Sequence, residues 1–246
     1  MSVSESDGAD QLFLETTRRL APPRLAMLDV QAALGLLEID RGERIADFGC
    51  GYGRHLVALR NEGCTRLIGV DRSPLLLREA RRLAPNADLV RGDLCALPLA
   101  AGSVSAATCF YSSFALSTRD HARAALAEIA RVLRPNGRLV ITTDNPLRLA
   151  GSPESSFSEE IVGLGQVEER SRFDPIEQVD VVERTLIRAD GERLSGTWRI
   201  RYFDPGALAE LAREAGLSLL TLEPDTPLDA RTPQLIALLA RGTHKP

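Results

Sequence analysis

Short apolar runs alternate along most of this chain with segments in which apolar residues recur every three or four positions. Short apolar runs are typical of buried strands, and the recurring pattern is typical of amphipathic helices. Their regular alternation predicts an α/β fold with a parallel, doubly wound sheet and right-handed crossovers. The predicted strands are residues 45–48, 67–70, 88–90, 104–110, 139–142, 217–222 and 234–240, and the predicted helices are residues 11–20, 23–38, 54–62, 74–83, 120–133 and 207–215.

The alternation is interrupted between residues 144 and 203. The segment 146–160, which contains Ser, Gly and Pro, is predicted to be a loop or flap. Two strand-like runs, 179–188 and 193–202, flank Asp190-Gly191, a strong signal for a two-residue hairpin turn. We expect this hairpin to lie over the carboxyl edge of the sheet and to build the substrate wall; the alternative is a dimer surface. In its second strand Leu194, Trp198, Ile200 and Tyr202 share one face, and Arg199 and Arg201 share the other.

A glycine-rich loop joins the first core strand to the helix at 54–62. Asp47 is followed by Gly49, Gly51 and Gly53, which let the backbone approach a ligand, and the helix start offers free N–H groups. This arrangement predicts a nucleotide-type cofactor site. The dinucleotide fingerprint needs a glycine where Arg54 stands, which argues against a nicotinamide oxidoreductase. Asp47 would repel a pyrophosphate but bind an ammonium group, so the loop favours a cofactor that ends in a zwitterionic amino acid.

The acidic residue followed by Gly-x-Gly-x-Gly resembles the first motif of the class I S-adenosylmethionine-dependent methyltransferases. The resemblance covers about residues 34–241, and it is strong in the cofactor half and loose in the insertion. It implies a Rossmann-like, seven-stranded sheet, mostly parallel with an antiparallel last strand, and an antiparallel β insertion that caps the active site. The implied cofactor is S-adenosyl-L-methionine, and the product is S-adenosyl-L-homocysteine. We therefore divide the chain into an N-terminal segment of lid or packing helices (1–38), a cofactor-binding core (39–143), a hairpin cap (144–203) and a C-terminal helix with two strands (204–246).

Two acidic residues further along are candidates for the nucleoside. Asp71 ends a strand about 20 residues after the first glycine, where α/β nucleotide folds bind the ribose hydroxyls; the alternative is a surface residue that caps the next helix. The resemblance implies that Asp93 accepts from the adenine amino group and that the Leu94 N–H meets the ring, and the alternative is a plain turn. The expected cofactor-binding set is Asp47, Gly49, Cys50, Gly51, Gly53, Asp71, Arg72, Asp93, Leu94, Phe110 and Tyr111.

The strand at 104–110 is followed by Tyr-Ser-Ser-Phe. Ligands of open parallel sheets bind beyond the carboxyl ends of the strands, so this segment is expected to face the reacting centre. It lacks the acidic or Asn residue, two prolines and aromatic residue of the enzymes that methylate DNA amino groups, and it is similar to the small-molecule branch of the family. The expected substrate-binding residues are Tyr111, Phe114, Asn145, Trp198, Arg199 and Tyr202.

Methyl transfer from a sulfonium needs mainly alignment and exclusion of water, and it needs a base only for some acceptors. His55 and Tyr111 are the catalytic candidates. His55 lies in the first turn of a helix, whose positive end favours a neutral ring, although it can equally well support the loop. We expect His121 to be solvated and His244 to belong to the tail.

Composition narrows the function only slightly. A net charge of −4 argues against a nucleic-acid enzyme, which usually has a basic face, although a local basic patch is compatible with this total. The polar residues 1–10 are predicted to be disordered, and no signal sequence or membrane span is expected. The cysteines are predicted to be reduced core residues, and no metal is expected. We predict a cytoplasmic enzyme that methylates an O, N or C atom of a small organic metabolite in bacterial secondary metabolism. A homodimer is a possible oligomeric state. The alternatives are a protein or RNA methyltransferase and a non-catalytic cofactor-binding scaffold.

Overall fold

The computed structural model describes residues 5–116, 118–224 and 233–242, so the predictions for residues 1–4 and for His244 lie outside the described residues. The helices are α1 (Glu5–Leu20), α2 (Pro23–Leu37), α3 (Arg54–Asn61), α4 (Pro74–Leu83), α5 (Arg119–Val132), α6 (Pro146–Gly151) and α7 (Pro205–Glu214). The strands are β1 (Arg44–Phe48), β2 (Arg66–Asp71), β3 (Asp88–Arg91), β4 (Val104–Cys109), β5 (Leu133–Asp144), β6 (Glu154–Ile161), β7 (Gly165–Asp174), β8 (Val179–Ile187), β9 (Arg193–Arg201), β10 (Leu217–Glu223) and β11 (Gln234–Arg241).

The main sheet has seven strands in the order β10-β11-β5-β4-β1-β2-β3. Strands β1 to β5 pair in parallel, and β11 is antiparallel to both β5 and β10. The predicted doubly wound sheet with an antiparallel last strand is therefore confirmed. Its parallel part brings the carboxyl ends of five strands to one edge, where ligands of such sheets bind.

The central strands β1 and β4 are buried on both faces, which explains why they contain few polar residues. In β1, Ala46 and Phe48 belong to a core cluster that also contains α5 and α7, whereas Ile45 belongs to a second cluster with α2 and α3. Side chains alternate across a strand, so Asp47 lies on the same face as Ile45. An acidic residue is thereby held inside the layer between the sheet and helices α2 and α3.

The insertion contains more strands than predicted. Strands β6 to β9 form a separate four-stranded antiparallel sheet in sequential order, which we call the cap sheet. The prediction of a loop or flap at 146–160 is wrong, because this segment contains α6 and most of β6. Seven of the eight residues of β6 are exposed, so the strand has no apolar alternation for sequence reasoning to detect. The turn between β8 and β9 is also one residue longer than predicted, since Arg188 N donates to Glu192 O across the three residues 189–191.

Helix α1 begins at Glu5, so the prediction of disorder is wrong for residues 5–10. The helix lies between the cap sheet and the core. Leu12 is fully buried against Val167 and Leu186 of the cap sheet, and Arg18 forms an ion pair of 2.9 Å with Glu79 of α4. These contacts come from distant parts of the chain and stabilise a segment that is polar by itself.

Two smaller predictions also change. Strand β5 begins at Leu133 and not at the predicted residue 139; in its first part Asn136 has a φ of 60° and the register with β4 shifts between Val104 and Ala106. Three of the four cysteines are buried, Cys95 is partly exposed, and all four are free thiols. Within the described parts of the chain, the helices are too short or too polar to cross a membrane.

Candidate active site

The glycine loop between β1 and α3 depends on positive φ angles. Gly49, Gly51 and Gly53 have φ values of 75°, 53° and 87°, which L side chains adopt only with strain. Gly49 is further restricted, because a Cβ atom there would lie 2.4 Å from Cβ of Ser113. The loop is therefore packed directly against the segment that follows β4, and these two pieces of chain form one site.

Several N–H groups of this loop are used to hold its own shape. Gly49 N and Cys50 N both donate to Val70 O, at 2.8 and 3.0 Å, and Gly51 N donates to Oδ2 of Asp71 at 2.8 Å. The expectation that the loop offers these N–H groups to a ligand is wrong for these three residues. The Cys50 side chain is buried in the core, so only its backbone borders the loop surface.

Asp71 supports the glycine loop from the end of β2. Its two oxygens accept from Gly51 N at 2.8 Å and from Ser73 N at 2.9 Å, and burial raises the pKa of the carboxyl. The cap of α4 is the Ser73 hydroxyl, which accepts from Leu76 N at 3.2 Å. Each carboxylate oxygen can accept a second hydrogen bond, so Asp71 retains capacity for the hydroxyls of a ribose.

Two oppositely charged side chains at the loop each have an unsatisfied atom. Asp47 is 1% exposed; its Oδ1 accepts from the Thr108 hydroxyl at 3.0 Å, and its Oδ2 has no partner among the described residues. Nη1 of Arg54 is also buried and has no partner within the same ranges. Burial raises the pKa of Asp47 to about 7, against the lowering effects of the Thr108 hydrogen bond and the Arg54 charge. Unsatisfied buried polar atoms are rare and point to a missing partner.

A further group of contacts joins α2 and α3 to the end of β4. The Tyr111 hydroxyl donates to Oδ2 of Asp29 at 3.0 Å, and the Tyr111 N–H donates to the Thr142 hydroxyl at 2.9 Å. The Arg54 guanidinium lies over the Tyr111 ring, 4.6 Å from its centroid. Tyr111 has a φ of 54° and remains 43% exposed. It is therefore a fixed aromatic surface at the carboxyl edge.

His55 is buried beside this group. Its ring stacks on Phe110 with centroids 4.0 Å apart, and its Nε2 lies 3.2 Å from Oδ2 of Asp29. Burial lowers the pKa of His55 to about 4, so the ring is neutral at pH 7 and its Nε2–H donates to the carboxylate. This geometry favours the alternative role, support of the loop, because the nitrogen that faces Asp29 carries the proton and cannot accept another.

The remaining residues expected at the cofactor are on the surface or in turns. Arg72 is exposed, and Asp93 is exposed with its Oδ1 accepting from Cys95 N at 2.8 Å, the geometry of a turn. Leu94 is partly buried against the core. A carboxylate can accept several hydrogen bonds, so Asp93 can hold this turn and still accept a hydrogen bond from the adenine amino group.

The expected substrate residues are not brought together as a group. Phe114 is 1% exposed and stacks on Phe203 in the core, which leaves no face for a ligand, and Trp198 packs against α1 and Arg184. Arg199 is exposed on the outer face of the cap sheet. Asn145 caps α6, with Oδ1 accepting from Leu147 N at 3.0 Å. Of this set, Tyr111, Asn145 and Tyr202 lie near the carboxyl edge with polar groups of neighbouring elements.

Sequence reasoning missed Asp29, Arg54 and Asp144. Asp29 had a detectable signal, because it lies three residues after Ala26 and four before Ala33 on the buried stripe of α2. A carboxylate on such a stripe requires polar partners. Arg54 was used only to exclude a dinucleotide, and nothing in the sequence around Asp144 shows that the cap sheet folds back on it.

Comparison with known proteins agrees with this geometry. Residues 45–137 match the model of the methyltransferase domain family. The part of the chain that carries the glycine loop is therefore a methyltransferase domain. The chain is 37% identical over 111 residues to a demethylmenaquinone methyltransferase of Beutenbergia cavernae, a match that covers 45% of each chain. The chain thus spans less than half the length of the curated relatives that it matches.

Solved structures share the whole fold at low identity. The CcbJ methyltransferase from Streptomyces caelestis superposes with a TM-score of 0.76 at 21% identity, over 90% of both chains. The S-adenosylmethionine-bound amino pentose methyltransferase CalS10 from Micromonospora echinaspora, involved in calicheamicin biosynthesis, has a TM-score of 0.68 at 20% identity, over 94% of this chain and 97% of that one. At these identities the likeness establishes the fold, including the cap sheet, and not the acceptor.

Proposed function

We propose that this protein transfers a methyl group from S-adenosylmethionine to a small organic acceptor. The observation that carries the proposal is the pair of unsatisfied atoms at the glycine loop, Oδ2 of Asp47 and Nη1 of Arg54. The amino-acid end of the cofactor has an ammonium and a carboxylate, and these are the partners that a buried carboxylate and a buried guanidinium need. A pyrophosphate would satisfy Arg54 and be repelled by Asp47.

The rest of the loop fits the same cofactor. Asp71 has acceptor capacity for two ribose hydroxyls, Asp93 and Leu94 border the expected adenine position, and the Tyr111 ring offers a π face for a cation. When bound, the cofactor supplies a methyl group that is already activated on a sulfonium. The task left to the chain is therefore to align an acceptor and to exclude water.

We assign supporting roles to the two residues first considered as bases. His55 keeps the glycine loop and Asp29 in position, since it is buried and its donor nitrogen faces the carboxylate. Tyr111 forms an aromatic wall of the reacting centre; burial raises the pKa of its phenol, which therefore stays protonated near neutral pH. A hydrogen bond to Asp29 and the Arg54 stack hold the ring in place.

We place the acceptor between the cap sheet and the carboxyl ends of β4 and β5. Asp144 and Tyr202 meet at this border, where the end of the four-stranded cap sheet returns to the core. The likeness to CalS10, an amino pentose methyltransferase involved in calicheamicin biosynthesis, supports a small product of secondary metabolism as the kind of acceptor. A protein or RNA methyltransferase is the second candidate, and the outer faces of the cap sheet could equally serve a homodimer.

Calorimetric titration with S-adenosylhomocysteine, with NADH as the control ligand, tests the cofactor. We expect micromolar binding of S-adenosylhomocysteine and none of NADH. The same titration of Arg54→Gln should show weaker binding, because the carboxylate of the ligand loses a charge-assisted bond. Binding without methyl transfer to small molecules, proteins or RNA would support the non-catalytic scaffold, and no binding would refute the proposal.

A further inference from the structure

Asp144 is the last residue of β5, next to the end of β4 that carries Tyr111. Thr142, two residues earlier on β5, accepts the Tyr111 N–H at 2.9 Å. Side chains two residues apart on a strand point to the same face of the sheet, so Asp144 and Thr142 share the face on which Tyr111 is anchored. Its side chain is 41% exposed. The carboxylate therefore stands at the carboxyl edge, beyond the β4 end and outside the glycine loop.

The partners of Asp144 leave its carboxyl group incompletely paired. The Tyr202 hydroxyl donates to Oδ2 at 3.3 Å, and Nη2 of Arg148 on α6 lies 4.0 Å from Oδ1, at the limit for an ion pair. Arg148 is itself 47% exposed, so this contact is weak. Asp180 of β8 is buried close enough to repel the Asp144 charge, and its own oxygens accept from Ser171. The cap sheet thus adds a second negative charge to this border.

We propose that Asp144 binds the amino group of the acceptor, so that the substrate of this enzyme is an amine. The inference rests on the proposed function and specifies its acceptor. An alcohol acceptor would gain little from a carboxylate with a second negative charge behind it, whereas an ammonium group is attracted by both. Anchoring of the cap by the Tyr202 hydrogen bond does not by itself require a charge, because a neutral acceptor oxygen would serve.

Methyl transfer to an amine needs no reagent besides the cofactor, the acceptor and a proton acceptor. Asp144 takes one proton from the acceptor ammonium, which frees the nitrogen lone pair. That lone pair forms the new N–CH3 bond as the S–CH3 bond breaks, and the electron pair of the broken bond stays on sulfur. The product is a methylated ammonium, and the proton on Asp144 passes to solvent. Burial raises the pKa of Asp144, which brings it closer to that of an amine and favours this transfer.

Sinefungin tests this placement without knowledge of the substrate, because it carries a protonated amine where the cofactor carries the methyl sulfonium. We expect the protein to bind sinefungin more tightly than S-adenosylhomocysteine at pH 7. Asp144→Asn keeps an oxygen for Tyr202 and should weaken sinefungin about tenfold while S-adenosylhomocysteine changes less than about twofold. Asp190→Asn, at the opposite end of β8 and β9, removes the same charge and should change neither affinity.

The outcomes separate the two proposals. Failure of the unmodified protein to bind S-adenosylhomocysteine overturns the proposed function itself. Normal S-adenosylhomocysteine binding with an unchanged preference for sinefungin in Asp144→Asn overturns the amine inference alone. Equal weakening of both ligands means that Asp144 only anchors the cap, which also overturns it. If Asp144→Asn does not fold, Asp144→Ser removes the same charge with a smaller side chain and is judged by the same ratio.

Discussion

Tyr111 donates its phenolic hydrogen to Oδ2 of Asp29 across 3.0 Å, and this bond ties the second helix of the chain to the end of β4. The same oxygen lies 3.2 Å from Nε2 of His55. A residue with a φ of 54° persists only where the surrounding structure over-determines it, and Asp29, Thr142 and Arg54 provide that restraint. The N-terminal helices are therefore part of the site and not merely a layer on the sheet.

Asp29→Asn should lower the free energy of unfolding by about 1 to 3 kcal/mol, because the buried His55 ring and the half-exposed Tyr111 hydroxyl lose a charged acceptor and the new NH2 group can face one of them. Urea denaturation measures this loss. Asp190→Asn, in the exposed hairpin turn, is the matched control and should stay within about 0.5 kcal/mol of the unmodified protein. Equal stability of the two variants would mean that Asp29 holds neither Tyr111 nor His55.

Cofactor affinity should depend on pH through Asp47. The pKa of this carboxyl is raised to about 7 in the folded protein, and only its ionised form can bind an ammonium. The association constant of S-adenosylhomocysteine should therefore fall by up to about tenfold per pH unit below pH 7 and level off above it. Titration calorimetry from pH 5.5 to 8.5 measures the curve, and Asp47→Asn should bind more weakly with a flat profile.

The stability effect of Asp47 has the opposite sign. Its folded pKa lies above the unfolded value of 3.8, so the folded state holds the proton more tightly and this stabilisation is lost as pH rises from about 4 to 7. His55 works against it, because its lowered pKa destabilises the folded state as pH falls from 6.5 toward 4. A comparison of Asp47→Asn with the unmodified protein isolates the first effect, and we expect the variant to be relatively more stable at pH 8 than at pH 5.

Asp71→Ala should weaken S-adenosylhomocysteine binding by about 2 kcal/mol or more, since two charge-assisted hydrogen bonds to the ribose are lost. The same change frees Gly51 N and Ser73 N, so affinity alone does not identify the cause. A 2′-deoxyribose analogue of the ligand resolves this. The unmodified protein should discriminate against the analogue, and Asp71→Ala should not; retained discrimination would contradict the ribose assignment.

Gly49→Ala should destabilise the protein by more than the backbone strain alone. A Cβ at Gly49 meets Ser113 at 2.4 Å, whereas a Cβ at Gly191, which has a similar φ of 86°, meets nothing within 4 Å. Gly191→Ala therefore measures the strain of a positive φ, about 1 to 2 kcal/mol, without a clash. Thermal or urea unfolding should show a clearly larger loss for Gly49→Ala, and equal losses would mean that Ser113 moves aside.

The core fold could be predicted because its signals are local. The central parallel strands are buried on both faces and have the pattern of apolar runs, the helices have apolar stripes, and the glycine loop lies within a few residues of the strand it follows. The cap sheet could not be predicted in full, because its signals are not local. Its outer strand β6 is exposed along most of its length, so what orders it is backbone pairing with β7, which the side-chain pattern does not record.

The sequence by itself therefore determined the order of the core strands and helices, the position of the glycine loop and the type of cofactor. Tertiary structure alone decided which polar groups meet: Asp29 with Tyr111, and Asp144 with Tyr202. These partners are distant in the chain and come together only when α2 and the cap sheet pack at the carboxyl edge. Hydrogen bonds and buried charges depend on distances of a few ångströms between side chains, and that information arises from packing rather than from the local pattern of residues.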